Sequence, residues 1–231
     1  MDFGSIDTEL VAKLLLLLLI GLGPKIALVP FLDKTKRMSP EEQRATGRLM
    51  VRTAVVTALV IFATGALLMR LLHITSGAVA VAGGIILALL AVKMAMGHGE
   101  DVVEEDDLVP DGERIAIYPL AVPYLLNPVG LTVLIIASRE VVSVAGAALV
   151  VGLVLLVGAF DYLVFTNMDR LASRLNPTTR VVSEVVFGIL LTAVAVQLVV
   201  VGLRSLGIIA AIAGRWLTRY CKEPLVGATR L

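Results

Sequence analysis

Residues 20–29 read IGLGPKIALV and residues 125–133 read LLNPVGLTV, so a proline interrupts each of two apolar stretches. Pro128 follows Pro24 by 104 positions. A proline inside a spanning helix removes a backbone donor and displaces a carbonyl, and lipid cannot satisfy the polar groups that are left. Such breaks are tolerated where they face protein or a watery cavity, and paired breaks in two halves of a chain are typical of transporters.

Composition indicates an integral membrane protein. Of the 231 residues 58% are hydrophobic, whereas soluble domains contain about 45–50% apolar residues, and the mean hydropathy is +0.94. The net charge of +1 gives no reason to expect a nucleic-acid partner. The single cysteine, Cys221, excludes an internal disulfide and a thiolate metal cluster. We predict no metal and no cofactor.

Six stretches are long and apolar enough to cross a bilayer. They lie near residues 9–32, 49–72, 77–97, 115–137, 142–166 and 181–205. The run Ser39-Pro40-Glu41-Glu42 has the residues of a helix start. The opening MDFGSIDTEL is acidic where a secretory signal is basic, so the first stretch is expected to remain as a span. We predict one membrane domain over residues 1–231, with an acidic linker at about 98–114 and a tail at about 207–231.

The distribution of basic residues predicts the orientation. The loops after spans one, three and five are basic, with Lys34, Lys36, Arg37, Arg44, Arg48, Arg114, Arg170, Arg174 and Arg180. The opposite loops hold only Arg70 and Arg139, whereas the tail, which is also basic, is an exception. Because basic loops stay cytoplasmic, we expect a multi-pass protein of the inner or plasma membrane with both termini outside.

The chain contains a doubled unit. Sliding it by 104 residues aligns Pro24 with Pro128, Arg70 with Arg174 and Gly84 with Gly188. This gives repeats at about 9–97 and 115–205, and three spans per unit make the second enter from the opposite face. The predicted fold is an all-α polytopic membrane protein of six transmembrane helices in a 3+3 inverted repeat, with helices one and four broken. The alternative is chance similarity between apolar helices.

Several motifs resemble the MarC-related family of bacterial inner-membrane proteins. They are Tyr118-Pro119-Leu120-Ala121-Val122-Pro123 leading to Pro128, Ala82-Gly83-Gly84-Ile85 after Ile74, and Gly188-Ile189-Leu190-Leu191 through Ala195-Val196-Gln197 to Gly202. The resemblance covers nearly all of residues 10–205. It implies a fold similar to the lysine-exporter type, and it implies transport of small neutral amino acids, since some members take glycine or alanine.

The chain departs from the family pattern at the two breaks. The family usually reads Asn-Pro in the first span and Gly-Pro in the fourth, whereas this chain has Gly23-Pro24 and Asn127-Pro128. Lys25 adds a cation where the family generally has a small or apolar residue. These differences bear on the substrate rather than on the fold.

The broken helices provide the candidate substrate site. A half-helix that begins after a break exposes backbone N–H groups and the positive end of its dipole, which suit a carboxylate. We therefore expect the backbone at 21–27 and 125–132 to contact substrate. The predicted substrate-binding residues are Gly23, Pro24, Lys25, Tyr124, Asn127, Pro128, Gly130 and Thr132. The alternative is that the two prolines only kink helices for packing.

Three polar residues are candidates for gating or coupling: Lys25, which is also in the predicted substrate site, Asp161 and Gln197. A lysine inside a membrane costs about 2.5–3.5 kcal/mol on insertion scales unless it snorkels or pairs. Lys25 and Asp161 are predicted at comparable depth and could pair, or Asp161 could carry a proton. Gln197 could line the cavity or bond to a neighbouring helix. Alternatively, Lys25 snorkels and Asp161 only ends its span.

The sequence favours a secondary transporter of a small solute, a neutral amino acid or related zwitterion. No Gly-Lys-Ser/Thr nucleotide-binding run is present. A channel or facilitator would need a polar lining that these spans lack, and a non-transport scaffold would not explain buried breaks. An intramembrane enzyme is not predicted, because neither a His-Glu-x-x-His helix nor a Gly-x-Ser-x-Gly elbow occurs. The expected partners are a small-molecule substrate and the lipid bilayer, and small-residue faces are compatible with a homo-oligomer.

Overall fold

The computed structural model describes residues 8–96, 112–168 and 177–208, and its regular structure in these ranges is helical. The helices there are α1 Thr8–Gly21, α2 Pro24–Thr35, α3 Pro40–Leu71, α4 Ser76–Ala95, α5 Gly112–Ile115, α6 Pro128–Glu140, α7 Val144–Thr166 and α8 Pro177–Ser205. A segment with wide helical turns, Ala116–Leu125, joins α5 to the second break. The predicted partner of Arg70 in the repeat, Arg174, lies outside the described residues, as do most of the linker and the tail.

Five stretches in the described ranges are long and apolar enough to cross a membrane. They are Val11–Thr35, Pro40–Leu71, Ser76–Lys93, Val144–Thr166 and Val185–Ser205. The pair Gly112–Leu125 and Pro128–Glu140, bent by 71°, forms a sixth if it is counted as one broken span. The described chain is therefore all-helical with five or six candidate membrane spans, as predicted.

The fourth span is more irregular than predicted. We expected residues 115–137 to be helical with one break, but the backbone is also extended at Tyr118 (φ −138°, ψ 128°) and Val122 (φ −136°, ψ 122°). Each of these residues precedes a proline, Pro119 or Pro123. The proline ring clashes with the residue before it and moves that residue from the α region towards extended backbone.

Local capping fixes the start of α3 as predicted. The Ser39 hydroxyl accepts a hydrogen bond from the Glu42 N–H at 3.3 Å, and the Glu42 carboxylate accepts one from the Ser39 N–H at 2.7 Å. This reciprocal box satisfies two donors that a helix start leaves free. Helix α5 begins at Gly112, near the end of the predicted linker at about 98–114, and residues 98–111 of that linker lie outside the described residues.

Helices α4 and α8 form the most extensive helix pair in the described part of the chain. A Cβ added to Gly77 would lie 2.9 Å from the Gly202 carbonyl oxygen, and one added to Gly84 would lie 2.8 Å from the Ala195 carbonyl oxygen. Glycines at the crossing allow the two backbones to approach closely, as is common between helices in membranes.

The buried apolar side chains form two clusters. The larger one fills the space between α1, α2, α3, the Ala116–Leu125 segment, α6 and α7. The smaller one is built from Ile26, Leu87, Ala91, Val129, Leu191 and Ala195. Because Ile26 follows the first break and Val129 follows the second, this smaller cluster connects both breaks to the α4–α8 pair.

Candidate functional site

The first break separates α1 from α2 around Gly23. Gly23 has extended backbone (φ −88°, ψ 162°) and precedes Pro24, which needs no hydrogen-bond acceptor at the first helical position. A Cβ at Gly23 would overlap the Leu19 carbonyl oxygen, so only glycine fits here. No side chain caps α2. Among the described residues, the N–H groups of Lys25 and Ile26, in the first turn, therefore have no side-chain acceptor.

The second break is capped. The Asn127 side-chain oxygen accepts hydrogen bonds from the Val129 N–H at 2.8 Å and the Gly130 N–H at 3.3 Å. Pro128 occupies the first position of α6 and has no N–H. The free N–H groups predicted at this end are thus already bonded, because asparagine is among the strongest N-cap residues. The two breaks differ in the donors that they can offer to a ligand.

The two breaks lie directly against each other. The Asn127 N–H donates to the Gly21 carbonyl at 2.9 Å, and the Asn127 side-chain amide donates to the Ile20 carbonyl at 2.7 Å. A Cβ on Gly21 would overlap the Gly130 backbone, and a Cβ on Gly130 would overlap the Gly21 carbonyl oxygen. Asn127 is completely buried at this contact. The C-terminal end of α1 is therefore joined to the N-terminal end of α6.

Two of the other predicted residues also lie near the second break. Thr132 is buried, and its hydroxyl fills the space that a Cβ at Gly83 of α4 would occupy. Tyr124 is half-buried and packs against both apolar clusters. Through these contacts the region around the second break connects to α4 as well as to α1.

The three candidates for gating or coupling do not come together at the contact between the two breaks. Lys25 is exposed although its neighbours Pro24 and Ile26 are buried, and Gln197 is exposed on α8. Asp161 is completely buried in α7, and neither of its carboxyl oxygens accepts a hydrogen bond from the described chain. Lys25 and Asp161 therefore do not pair in this structure.

The Ile20 carbonyl was not predicted from the sequence as a partner of the Asn127 amide. No residue type marks a backbone carbonyl as an acceptor. The only available signal was Gly21, a glycine within a leucine-rich helix, which indicates a close approach of backbone. Within residues 8–96, 112–168 and 177–208, no group of three His, Cys, Asp or Glu side chains could hold a metal ion.

Two cavities of the described chain lie away from the breaks. One, of about 190 Å³, is an apolar groove between α3, α4 and α6, which includes Gly65 and Ile135. The other, of about 370 Å³, is an open groove lined by Ala45, Arg48, Leu49, Arg52 and Tyr162. Neither is lined by a residue of the two breaks.

Comparison with known proteins finds a matching family and related membrane proteins. Residues 8–207 match the family described as MarC family integral membrane protein. The chain is 24% identical over 201 residues to the UPF0056 membrane protein PYRAB13050 of Pyrococcus abyssi, which covers 84% of this chain and 96% of that protein. It is 27% identical over 118 residues to the UPF0056 membrane protein MJ1677 of Methanocaldococcus jannaschii.

The match to MJ1677 covers 50% of this chain and 58% of the length of MJ1677. No solved structure matches the chain. The family match includes both proline breaks, all of the predicted site residues and every described helix. The chain belongs to the MarC family of integral membrane proteins.

Proposed function

We propose that this protein is a secondary transporter of a small solute, a neutral amino acid or a related zwitterion. The observation that supports the proposal most is the contact between the two breaks, in which Asn127 bonds to the carbonyls of Ile20 and Gly21. Two proline breaks distant in sequence and adjacent in space are the arrangement in which other transporters bind their substrates.

The proposal includes a 3+3 inverted repeat of residues 9–97 and 115–205, in which the two broken spans occupy equivalent positions. The paired proline breaks and the close pairing of α4 with α8, the third span of each unit, support this arrangement. We also propose that the basic loops lie in the cytoplasm, with both termini outside. In such a repeat, one half rocks against the other around the central site.

We propose that the substrate carboxylate binds at the start of α2. This end has no side-chain cap, so the N–H groups of Lys25 and Ile26 are available as donors to a ligand. The helix dipole favours an anion there, and the Lys25 ammonium adds a full positive charge beside it. The carbonyl groups of Ile20 and Gly21 at the end of α1, which bond to Asn127 in this structure, would accept hydrogen bonds from the substrate ammonium group once the contact between α1 and α6 opens. A zwitterion matches both ends of one broken helix.

The packing at the breaks favours alternating access over an open channel. Gly21 and Gly130 are in backbone contact, and the Asn127 side chain is fully buried. A channel would need a continuous polar passage at this level, whereas a transporter needs a closed state. We propose that substrate enters when the contact between α1 and α6 opens on one side.

A thermal-shift screen of the detergent-purified protein tests the substrate class. The screen compares common amino acids with small carboxylates that lack an ammonium group, and it uses wild type, Lys25→Gln and Lys13→Gln. Lys13 is the matched control, an exposed lysine of the same broken span that pairs with Glu9. We expect amino acids to raise the melting temperature of wild type and Lys13→Gln, with the shift lost in Lys25→Gln. Equal shifts in all three proteins, or no shift with any compound, would contradict the proposed site.

A further inference from the structure

Asp161 is the most unusual polar side chain in the described part of the chain. It is 0% exposed, and neither carboxyl oxygen has a hydrogen-bond partner within residues 8–96, 112–168 and 177–208. It lies in α7, in the interior of an apolar stretch that is long enough to span a membrane. An ionisable residue at such a position is costly and is usually functional.

The contacts of α7 locate Asp161 against α3 and α2. One turn before it, Gly158 lies against Val55 of α3. One turn after it, Phe165 packs on the Phe31 ring of α2 with centroids 5.1 Å apart. Asp161 shares this buried face of α7 with apolar side chains. Among the described residues, none donates a hydrogen bond to the Asp161 carboxyl group.

The charged groups of the surrounding helices all lie at the surface of the chain or near it. On α1 they are Glu9 and Lys13, on α2 Lys25, Asp33 and Lys34, and on α3 Glu41, Glu42, Arg44, Arg48, Arg52 and Arg70. Arg48 and Arg52 are exposed and line the open groove of about 370 Å³ together with Tyr162, the residue that follows Asp161. Two basic groups therefore share a groove with the residue adjacent to Asp161 in sequence, but neither bonds to the Asp161 carboxyl group.

The neutral acid is the form that this packing accommodates. A carboxylate without donors or a counter-ion is very costly in an apolar interior, and a neutral carboxylic acid is far less so. A metal cation would need several oxygen ligands, and the described chain offers no cluster of acidic side chains around Asp161. A proton needs only this one carboxyl group.

We propose that Asp161 is a proton-binding site that couples the transport cycle to protons. In the conformation seen here the acid is neutral and sealed between α7, α3 and α2. In a second conformation its O–H bond breaks and the proton passes to water in the groove lined by Arg48, Arg52 and Tyr162. The two arginines offset the charge of the carboxylate that remains. This inference rests on the proposed transport function and adds its coupling ion.

Infrared difference spectroscopy of the full chain reconstituted in lipid tests the protonation directly. The spectra compare wild type with Asp161→Asn at neutral pH, and with Asp33→Asn, which removes an exposed carboxyl from α2. We expect the carbonyl stretch of one protonated carboxylic acid per chain in wild type and in Asp33→Asn, and its loss in Asp161→Asn. If the Asp161→Asn spectrum differs from the wild-type spectrum only by the loss of an ionised carboxylate band, the proposal is overturned.

A second variant provides the test if the first one misfolds. If Asp161→Asn does not fold, Asp161→Glu retains the acid, and the expected result is the same band at a shifted frequency. No shift of any protonated band in this variant would also overturn the proposal. The infrared result does not depend on substrate. An ionised Asp161, together with amino acids that stabilise the protein in the thermal-shift screen, would refute only the proposed proton coupling. A protonated Asp161, together with no stabilisation by amino acids, would refute only the proposed amino acid substrate.

Discussion

Replacing Asn127 with alanine should destabilise the protein strongly, because this side chain has two separate structural tasks. It caps α6 through the N–H groups of Val129 and Gly130, and it joins α6 to α1 through the Ile20 carbonyl. Loss of an N-cap costs about 1 kcal/mol. A buried carbonyl left without a donor costs about 1–3 kcal/mol more. We expect the free energy of unfolding to fall by about 2–4 kcal/mol.

A second substitution separates the two tasks. Serine can still cap a helix, but its short side chain cannot reach the Ile20 carbonyl that Asn127 contacts at 2.7 Å. Asn127→Ser should therefore lose only the connection between the breaks, about 1–3 kcal/mol. The difference between the serine and alanine variants then measures the cap.

The assay is reversible unfolding in mixed micelles, with Asn167→Ala as the control. Asn167 also donates its side-chain amide to a backbone carbonyl, that of Leu163 at 2.8 Å, but the bond is local and exposed. Its loss should change the free energy of unfolding by no more than about 0.5 kcal/mol. If Asn127→Ala costs no more than Asn167→Ala, the reasoning about the joined breaks is refuted.

Three further predictions concern other parts of the structure. Gly21→Ala should reduce folded yield severely because its Cβ would overlap Gly130, while Gly152→Ala, whose Cβ meets nothing within 4 Å, should leave it unchanged; size-exclusion profiles compare the two. Lys25→Ala and Asp161→Asn should have additive effects on melting temperature, since the residues do not pair. A double variant whose melting temperature falls by less than the sum of the two single decreases would indicate that they do pair. Ser39→Ala should lower the free energy of unfolding by about 1 kcal/mol through its lost cap, and an unchanged value would contradict the box at α3.

Features encoded over a few neighbouring residues could be predicted from the sequence. Hydropathy located the spans, and Ser39 with Glu42 marked the start of α3. The two prolines located the breaks. The extended residues Tyr118 and Val122 were also predictable, because each precedes a proline, but the apolar character of the stretch favoured a continuous helix.

Features that depend on tertiary contacts could not be predicted. Asn127 was expected to face a ligand, but its amide is occupied by a carbonyl of a helix more than a hundred residues away in sequence. Lys25 and Asp161 were predicted at comparable depth, yet depth along a helix does not specify which face a residue occupies. In the structure Lys25 is exposed and Asp161 is buried.

The central claim, that the first break is a water-accessible substrate site, is tested most directly by labelling a cysteine at Lys25. The experiment uses a membrane-impermeant maleimide on proteoliposomes, in a chain whose native Cys221 is replaced by serine. Leu16→Cys on α1 is the control, since Leu16 is 61% exposed and its apolar side chain is expected to face lipid. We expect Lys25→Cys to be labelled and Leu16→Cys to remain unlabelled. No labelling of Lys25→Cys from either side would mean that this position faces lipid, and it would contradict the account.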